Sequence, residues 1–587
     1  MDIKKNFSEI FKGRISAGVL PNANLRVGNA YKQALEIVRN RLFFVIVIFA
    51  LAFFTLGIRL CNLVFFGTEV AENSRDSELA ALQYERGEIV DRNGVLLAVN
   101  LATGSLYANP KQIMDAKDAA KQLTQTLPGL NYSDLLSKLS SEKSFIWIKR
   151  NLTPHEQTMV NNLGLPGLYF KKEEKRVYPH GRLFSHVLGY VGIDGHGQAG
   201  IERQYDKFLL EEESQDQPLQ LSLDVRVQQI IYQALAGSVH EFHAIGGTAL
   251  VMDTNNGEIL GMVSQPDFNS NNVGASPPLA RFNRSTLGVY EMGSIFKSFT
   301  LAMALDSGAT KMTDVFDATN PIKIGGFTIS DAHAQARPLT LPEVFKYSSN
   351  IGAAKIALVT GEKLQQNYLK KFGMLNALAL ETPERGQPIF PKIWRKINLM
   401  TIAYGHGIAV TPVHVASGIS ALVNGGVLYP ATLIKRKSDV EIAYERVIKK
   451  STSEEMRKLF RLVVESGTGK KAEVEGYMVG GKTGTAEKIA GKGYSESAKL
   501  SSFVGAFPIN NPRYVVFVTL DEPKGTKETG GYATGGMVAA PAVSSIVEGI
   551  APVLGVPPVG YNAGVIKSAE SGDNNREEDI AAYEADR

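Results

Sequence analysis

Between Leu42 and Ile58 the chain runs for 17 residues without a charge, and apolar character resumes after Arg59 as far as Phe66. At about 1.5 Å per residue such a stretch crosses the roughly 30 Å hydrocarbon core of a bilayer, with Arg59 reaching the headgroups. A helix buried in a soluble core fits poorly with Phe and Ile on all sides. A cleaved leader fits no better, because some 40 residues precede the run and no A-x-A site follows it. Residues 1–41 carry eight Lys/Arg against three acidic residues, a net of +5, which directs that end into the cytoplasm and everything after Phe66 outward. The whole chain sums to only +4, so the basic pI describes one end, and nothing suggests a nucleic-acid groove. The single thiol, Cys61, lies inside the apolar segment, which excludes a disulfide within the chain and any Cys-based zinc site.

Five regions are expected: a cytoplasmic segment (1–41), a transmembrane anchor (42–66), a first exported domain (67–217), a larger domain (218–558) and an acidic, disordered tail (559–587). The polar stretch Glu211–Pro218 reads as the joint between the two domains. In the larger one, Thr248–Thr254 and Glu258–Val263 flank Asn256-Gly257, a hairpin signal. Ile295–Leu305 is apolar on nearly every side and predicts a helix inside a core. Phe503–Phe507 and Tyr514–Leu520 are further strand candidates, separated by Pro508, Asn510, Asn511 and Pro512.

Three short motifs carry chemistry. Ser294-Ile295-Phe296-Lys297 is an S-x-x-K leading the buried helix, so a hydroxyl and an amine share one face. A serine needs a neighbouring base, and a lysine in apolar surroundings loses favour for its charge and can accept the proton. Ser348-Ser349-Asn350 is an S-x-N whose alternate side chains can reach one cleft, although a turn or helix cap would use the same residues. Lys482-Thr483-Gly484-Thr485 sets a cation and hydroxyls where a substrate carboxylate could be held, with a glycine permitting close backbone approach. Each motif is weak alone: Ser140-Ser141-Glu142-Lys143 and Ser270-Asn271-Asn272 match two of the patterns by accident. Their conjunction in this order, 54 and 134 residues apart, is the signature of penicillin-recognising serine enzymes.

The chain resembles the class B penicillin-binding proteins well beyond these motifs. Arg86-Gly87-Glu88-Ile89-Val90-Asp91-Arg92-Asn93-Gly94, Arg176-Val177-Tyr178-Pro179 with Gly181, and Gly200-Ile201-Glu202 with Tyr205 are similar to boxes of the family's non-catalytic domain. Tyr404-Gly405-His406-Gly407, Thr411-Pro412 and Asn424-Gly425-Gly426 are similar to segments of its catalytic domain. The resemblance implies an α/β (α+β) transpeptidase domain, an antiparallel sheet flanked by helices, mounted on an elongated pedestal behind a single transmembrane helix. It implies a serine acyl-enzyme formed on D-alanyl-D-alanine and inhibition by β-lactams. Ser294, Lys297, Ser348 and Lys482 would be catalytic, and Asn350, Thr483, Gly484 and Thr485 would bind substrate, with no cofactor and no metal. The short anchor, compact pedestal and segment Val187–Gly197 look most like the cell-division branch. That branch implies a polytopic lipid-linked glycan polymerase and other septal proteins as partners.

The rival readings are an elongation-specific transpeptidase, a D,D-carboxypeptidase, a β-lactam-hydrolysing enzyme or sensor, and a non-catalytic septal scaffold. His240 and His243 lack any carboxylate pattern that would make them metal ligands, and Gly467-Thr468-Gly469-Lys470 lacks the frame of a phosphate loop.

Overall fold

The computed structural model describes residues 42–58, 86–211, 217–437, 439–490 and 493–559. The expected cytoplasmic segment, residues 59–66 of the anchor with Arg59 and Cys61, and the tail from residue 560 lie outside the described residues. Leu42–Ile58 forms a continuous helix, α1, every residue of which is exposed. Exposed apolar surface costs about 25 cal/mol per Å² in water, so a helix with this surface is suited to lipid.

The region that begins at residue 86 is built on a small sheet. Strand β1 (Ile89–Val90) pairs with β2 (Leu96–Ala108), and β2 pairs with β3 (Ile146–Leu152) and β4 (Leu168–Val177). A late strand, β5 (Leu219–Gln220), returns parallel to β1 and so hydrogen-bonds the start of the next region to this sheet. Helices over Ala116–Thr126 and Tyr132–Leu139 bury Leu123, Leu135 and Leu139 against Leu106, Ile146 and Ile148.

The three sequence boxes of this region meet at one buried carboxylate. Glu202, with no exposed side-chain surface, receives Arg86 Nε and Arg176 Nε, each at 2.7 Å. Arg86 also donates to Asp206 Oδ1 at 2.7 Å, and Arg176 Nη1 to the Gly87 carbonyl at 2.9 Å. Two guanidinium groups are tolerable here because most of their donors meet charged or backbone acceptors, with Arg176 Nη2 the buried exception. Tyr178, from the second box, exchanges hydrogen bonds of 3.0 and 2.9 Å with the Asn271 side chain. The accidental Ser270-Asn271-Asn272 match therefore works as a clamp between the two regions.

Helix α2 (Val225–Glu241) opens the larger region, followed by strands β6 (Gly246–Asp253) and β7 (Ile259–Gln265), the expected hairpin. Helices α3 (Lys297–Asp306), α4 (Asn350–Thr360), α5 (Pro412–Val423) and α6 (Lys450–Ser466) come next. Strands β8 (Gly480–Ala490), β9 (Gly493–Phe507) and β10 (Tyr514–Asp521) then complete an antiparallel sheet of order β8-β9-β10-β6-β7. Alternation along each strand feeds two cores. Ala249, Val251, Phe503, Val516 and Val518 pack with α2 and the last helix, α7 (Gly535–Val553). Leu250, Met252, Val504, Val515 and Phe517 face α3, α5 and α6. By length and composition α7 could cross a bilayer, but Val538, Val543, Ile546 and Ile550 are buried against the sheet, which makes it a core helix.

The Glu202 junction generates a prediction. Glu202→Ala leaves two buried guanidinium groups without their shared carboxylate and lowers stability by about 3–5 kcal/mol, read from urea unfolding of the full chain in detergent. A loss under about 1 kcal/mol would show that the boxes do not hold the region together.

Candidate active site

Ser294 stands at the turn that enters α3. Gly293–Phe296 forms a single 3-10 turn and Lys297 is the first residue of the α-helix. In a 3-10 turn positions i and i+3 eclipse, which brings Lys297 Nζ to 2.8 Å from Ser294 Oγ. The sequence places a helix over Ile295–Leu305; the tighter first turn is the difference, and it shortens the hydroxyl–amine approach. Gly484 on β8 lets this turn lie against the sheet edge: a Cβ there would come within 2.6 Å of the Met292 carbonyl.

Lys297 is completely buried. Besides Ser294 its amine meets the Ser348 carbonyl at 2.7 Å, Ser348 Oγ at 3.2 Å and Asn350 Oδ1 at 2.7 Å. Burial, and then the charge of Lys482, push its pKa well below the ordinary lysine value, with Asp331 opposing. Lys482, also fully buried on β8, lies 2.9 Å from Ser348 Oγ, and burial lowers its pKa to about 7. Its amine also sits over the Phe345 ring, 5.6 Å from the centroid. Ser348 Oγ thus bridges two amines, and the residue holds this position with φ +60°, a left-handed conformation rare outside glycine.

The S-x-N residues divide their work. Ser348 and Asn350 turn to Lys297, while Ser349 caps α4 by accepting the Gly352 N–H at 2.9 Å. One motif thus supplies a helix cap from its middle residue and two contacts to Lys297 from its ends. Asp331 fixes the arrangement: its carboxylate receives Ser349 Oγ at 2.7 Å and the N–H groups of Asn350 and Ile351 at 2.6 and 3.0 Å, at the positive end of α4. Nothing near Asp331 in sequence marks it, since its partners lie almost twenty residues on.

On the β8 side, Thr483 Oγ1 and Thr468 Oγ1 are 2.8 Å apart, so the Gly467-Thr468-Gly469 segment abuts the third motif. Thr485 Oγ1 accepts the Gly535 N–H at 3.1 Å, tying the edge strand to the start of α7. All three motifs converge on one cluster of hydroxyl, amine and amide groups. His240 lies in the last turn of α2 and His243 just past its end, their rings 6.5 Å apart. Among the described residues no group of three or more His, Cys, Asp or Glu could hold a metal ion.

The penicillin-binding protein transpeptidase domain model matches residues 247–548, and the penicillin-binding protein dimerisation domain model matches residues 82–218. A probable peptidoglycan D,D-transpeptidase FtsI of Caulobacter vibrioides is 41% identical over 482 residues, covering 80% of this chain and 82% of that protein. The chain belongs to the class B penicillin-binding proteins. These are serine D,D-transpeptidases, and its relatives put it in the cell-division branch. The peptidoglycan D,D-transpeptidase FtsI of Escherichia coli K12 is 28% identical, covering 84% of this chain and 87% of that protein. A solved structure of penicillin-binding protein 3 from a Mycobacterium, complexed with aztreonam, shares the fold with a TM-score of 0.64 at 23% identity, covering 81% of this chain and 97% of that one. The α/β architecture expected of this penicillin-binding protein is therefore present.

Two predictions follow from the geometry. Asp331→Ala frees the α4 terminus, and a displacement near 1 Å at Ser348 and Asn350 lowers the rate of acylation by a β-lactam on the order of 10²-fold, measured by stopped-flow or quenched labelling. The lysines also bear on stability. With a folded pKa near 7 against an ordinary 10.5, Lys482 leaves the native protein holding fewer protons than the unfolded chain between those values. Stability therefore rises with pH through that window, by up to about 1.4 kcal/mol per pH unit for this group. Lys482→Met flattens that rise between pH 7 and 9 in urea unfolding, and an unchanged slope would refute it.

Proposed function

We propose that this chain crosslinks peptidoglycan at the division septum by a two-step acyl transfer through Ser294. The observation carrying the reading is the 2.8 Å approach of Ser294 Oγ to the fully buried amine of Lys297. A lysine with a strongly lowered pKa is available as a neutral base, and the cluster around it supports that role. In the first step Ser294 Oγ attacks the D-alanyl-D-alanine amide of a stem peptide while Lys297 takes its proton. Ser348 and Lys482 pass a proton to the departing D-alanine nitrogen. Asn350 orients the peptide, Thr483 and Thr485 hold the terminal carboxylate, and Gly484 lets the peptide lie close to β8. The N–H groups of Ser294 and Thr485 hold the oxyanion. In the second step the amine of a neighbouring stem peptide takes the acyl group.

In this reading residues 67–217 are a pedestal, residues 218–558 the transpeptidase domain, and residues 42–66 a single-pass anchor of the inner membrane. The N-terminus is cytoplasmic and the catalytic domain periplasmic, on the strength of the basic flank of α1. Glycan polymerisation falls to a polytopic lipid-linked polymerase working with this chain and other septal proteins.

Mass spectrometry after benzylpenicillin tests the chemistry. The wild type gains one slowly hydrolysed adduct on the peptide containing Ser294, and Ser294→Ala gains none. An adduct that survives Ser294→Ala, or none in the wild type, would exclude this mechanism.

A further inference from the structure

A third segment packs on the nucleophile's turn, beside β8 and the Ser348–Asn350 turn. It is Tyr404-Gly405-His406-Gly407. Gly405 has φ +86°, and a Cβ there would come within 2.1 Å of the Gly293 carbonyl, so this backbone lies directly on the residue before Ser294. Thr300 Oγ1 of α3 donates to the Ala403 carbonyl at 2.9 Å and fixes the segment's approach. Glu291, three residues before Ser294, accepts the Gly407 N–H at 2.9 Å on one oxygen, and its other oxygen stands 3.7 Å from His406 Nδ1. The His406 side chain is 28% exposed. Burial, and then the charge Lys297 carries when protonated, lower its pKa to about 4, so the ring is neutral at neutral pH. A carboxylate facing Nδ1 favours the tautomer protonated there, which makes Nε2 the accepting nitrogen.

None of the roles assigned above uses this pair, and none of them contacts the N–H that the acceptor amine keeps in the second half-reaction. A neutral amine attacks the Ser294 ester with its lone pair and carries two N–H bonds. As the C–N bond forms and the C–Oγ bond breaks, one proton passes by way of Lys297 to Ser294 Oγ. The other stays on the nitrogen and becomes the amide N–H of the crosslink. We propose that His406, oriented by Glu291, accepts a hydrogen bond from this retained N–H and so aims the acceptor amine at the acyl-enzyme. The inference rests on the Ser294 acyl-enzyme reading. No proton is left on His406, and atoms balance as ester plus amine giving amide plus serine. Aiming matters more for an amine arriving on a bulky stem than for water, which is abundant at every angle. His406 therefore biases the acyl-enzyme toward aminolysis over hydrolysis.

The test uses the full chain in detergent, a D-alanyl thioester as donor and D-alanine as the amine acceptor, with products resolved by liquid chromatography. The aminolysis-to-hydrolysis ratio is set after the acyl-enzyme forms, so altered acylation rate or folded fraction does not move it. In His406→Ala the ratio falls about fivefold or more, the worth of one neutral hydrogen bond. In His406→Gln, whose amide oxygen also accepts, more than half the ratio is retained. A ratio within twofold of wild type in His406→Ala, with benzylpenicillin still labelling Ser294, overturns the proposal. Should that variant not accumulate, His406→Leu, which keeps bulk without an acceptor, decides by the same criterion. Failure of the wild type itself to be labelled would instead defeat the underlying acyl-enzyme reading.

Discussion

The site depends on an amine buried where an ammonium ion is poorly tolerated. Lys297 has no exposed surface, and its Nζ is ringed by Ser294 Oγ, the Ser348 carbonyl and hydroxyl, and Asn350 Oδ1. With Lys482 also buried and sharing Ser348 Oγ, charge on one amine opposes charge on the other. Much of the surrounding structure serves to hold oxygen atoms in that small space. The 3-10 turn supplies the hydroxyl, the left-handed Ser348 supplies a carbonyl, and Asp331 pins the end of α4 that presents Asn350.

The same region is tied to the dimerisation-type region by ordinary hydrogen bonds. Glu384 receives the Gly200 N–H through both oxygens, at 3.3 and 3.2 Å, two residues from Glu202 and its paired arginines. Onward from Glu384, the Gly386 N–H donates to the Thr286 carbonyl at 2.8 Å, and Ile389 bridges Ala409. Tyr290, next to Glu291, bridges Val410. A hydrogen-bonded path thus joins the Gly200-Ile201-Glu202 box to the loop that bears His406.

How much of this was legible in the sequence differs by the range of the interaction involved. The hairpin around Asn256-Gly257, the strands after residue 500 and the buried helix behind Ser294 follow local periodicity, and each is present. The site motifs were legible as a set because each supplies polar groups from a short stretch. Asp331 was not, because an isolated aspartate acquires meaning only when its loop folds onto α4. Thr468 stands in sequence as one residue of a glycine-rich segment, and its partner Thr483 is reached through the sheet edge. Composition alone also misjudges α7, whose apolarity matches a membrane helix while its neighbours are the sheet and α2. In Ser348-Ser349-Asn350 the helix cap and the contacts to Lys297 fall to different residues of one motif.

Burial and the nearby Lys482 amine hold the Lys297 pKa well below the ordinary lysine value, and its titration can be observed directly. Heteronuclear NMR of lysine side-chain Cε and Nζ groups, assigned by comparison with a Lys297→Arg variant, follows each amine from pH 5 to 11. The Lys297 resonance is expected to titrate well below the ordinary 10.5. A resonance that stays in its ammonium position until pH 10 or above would contradict it.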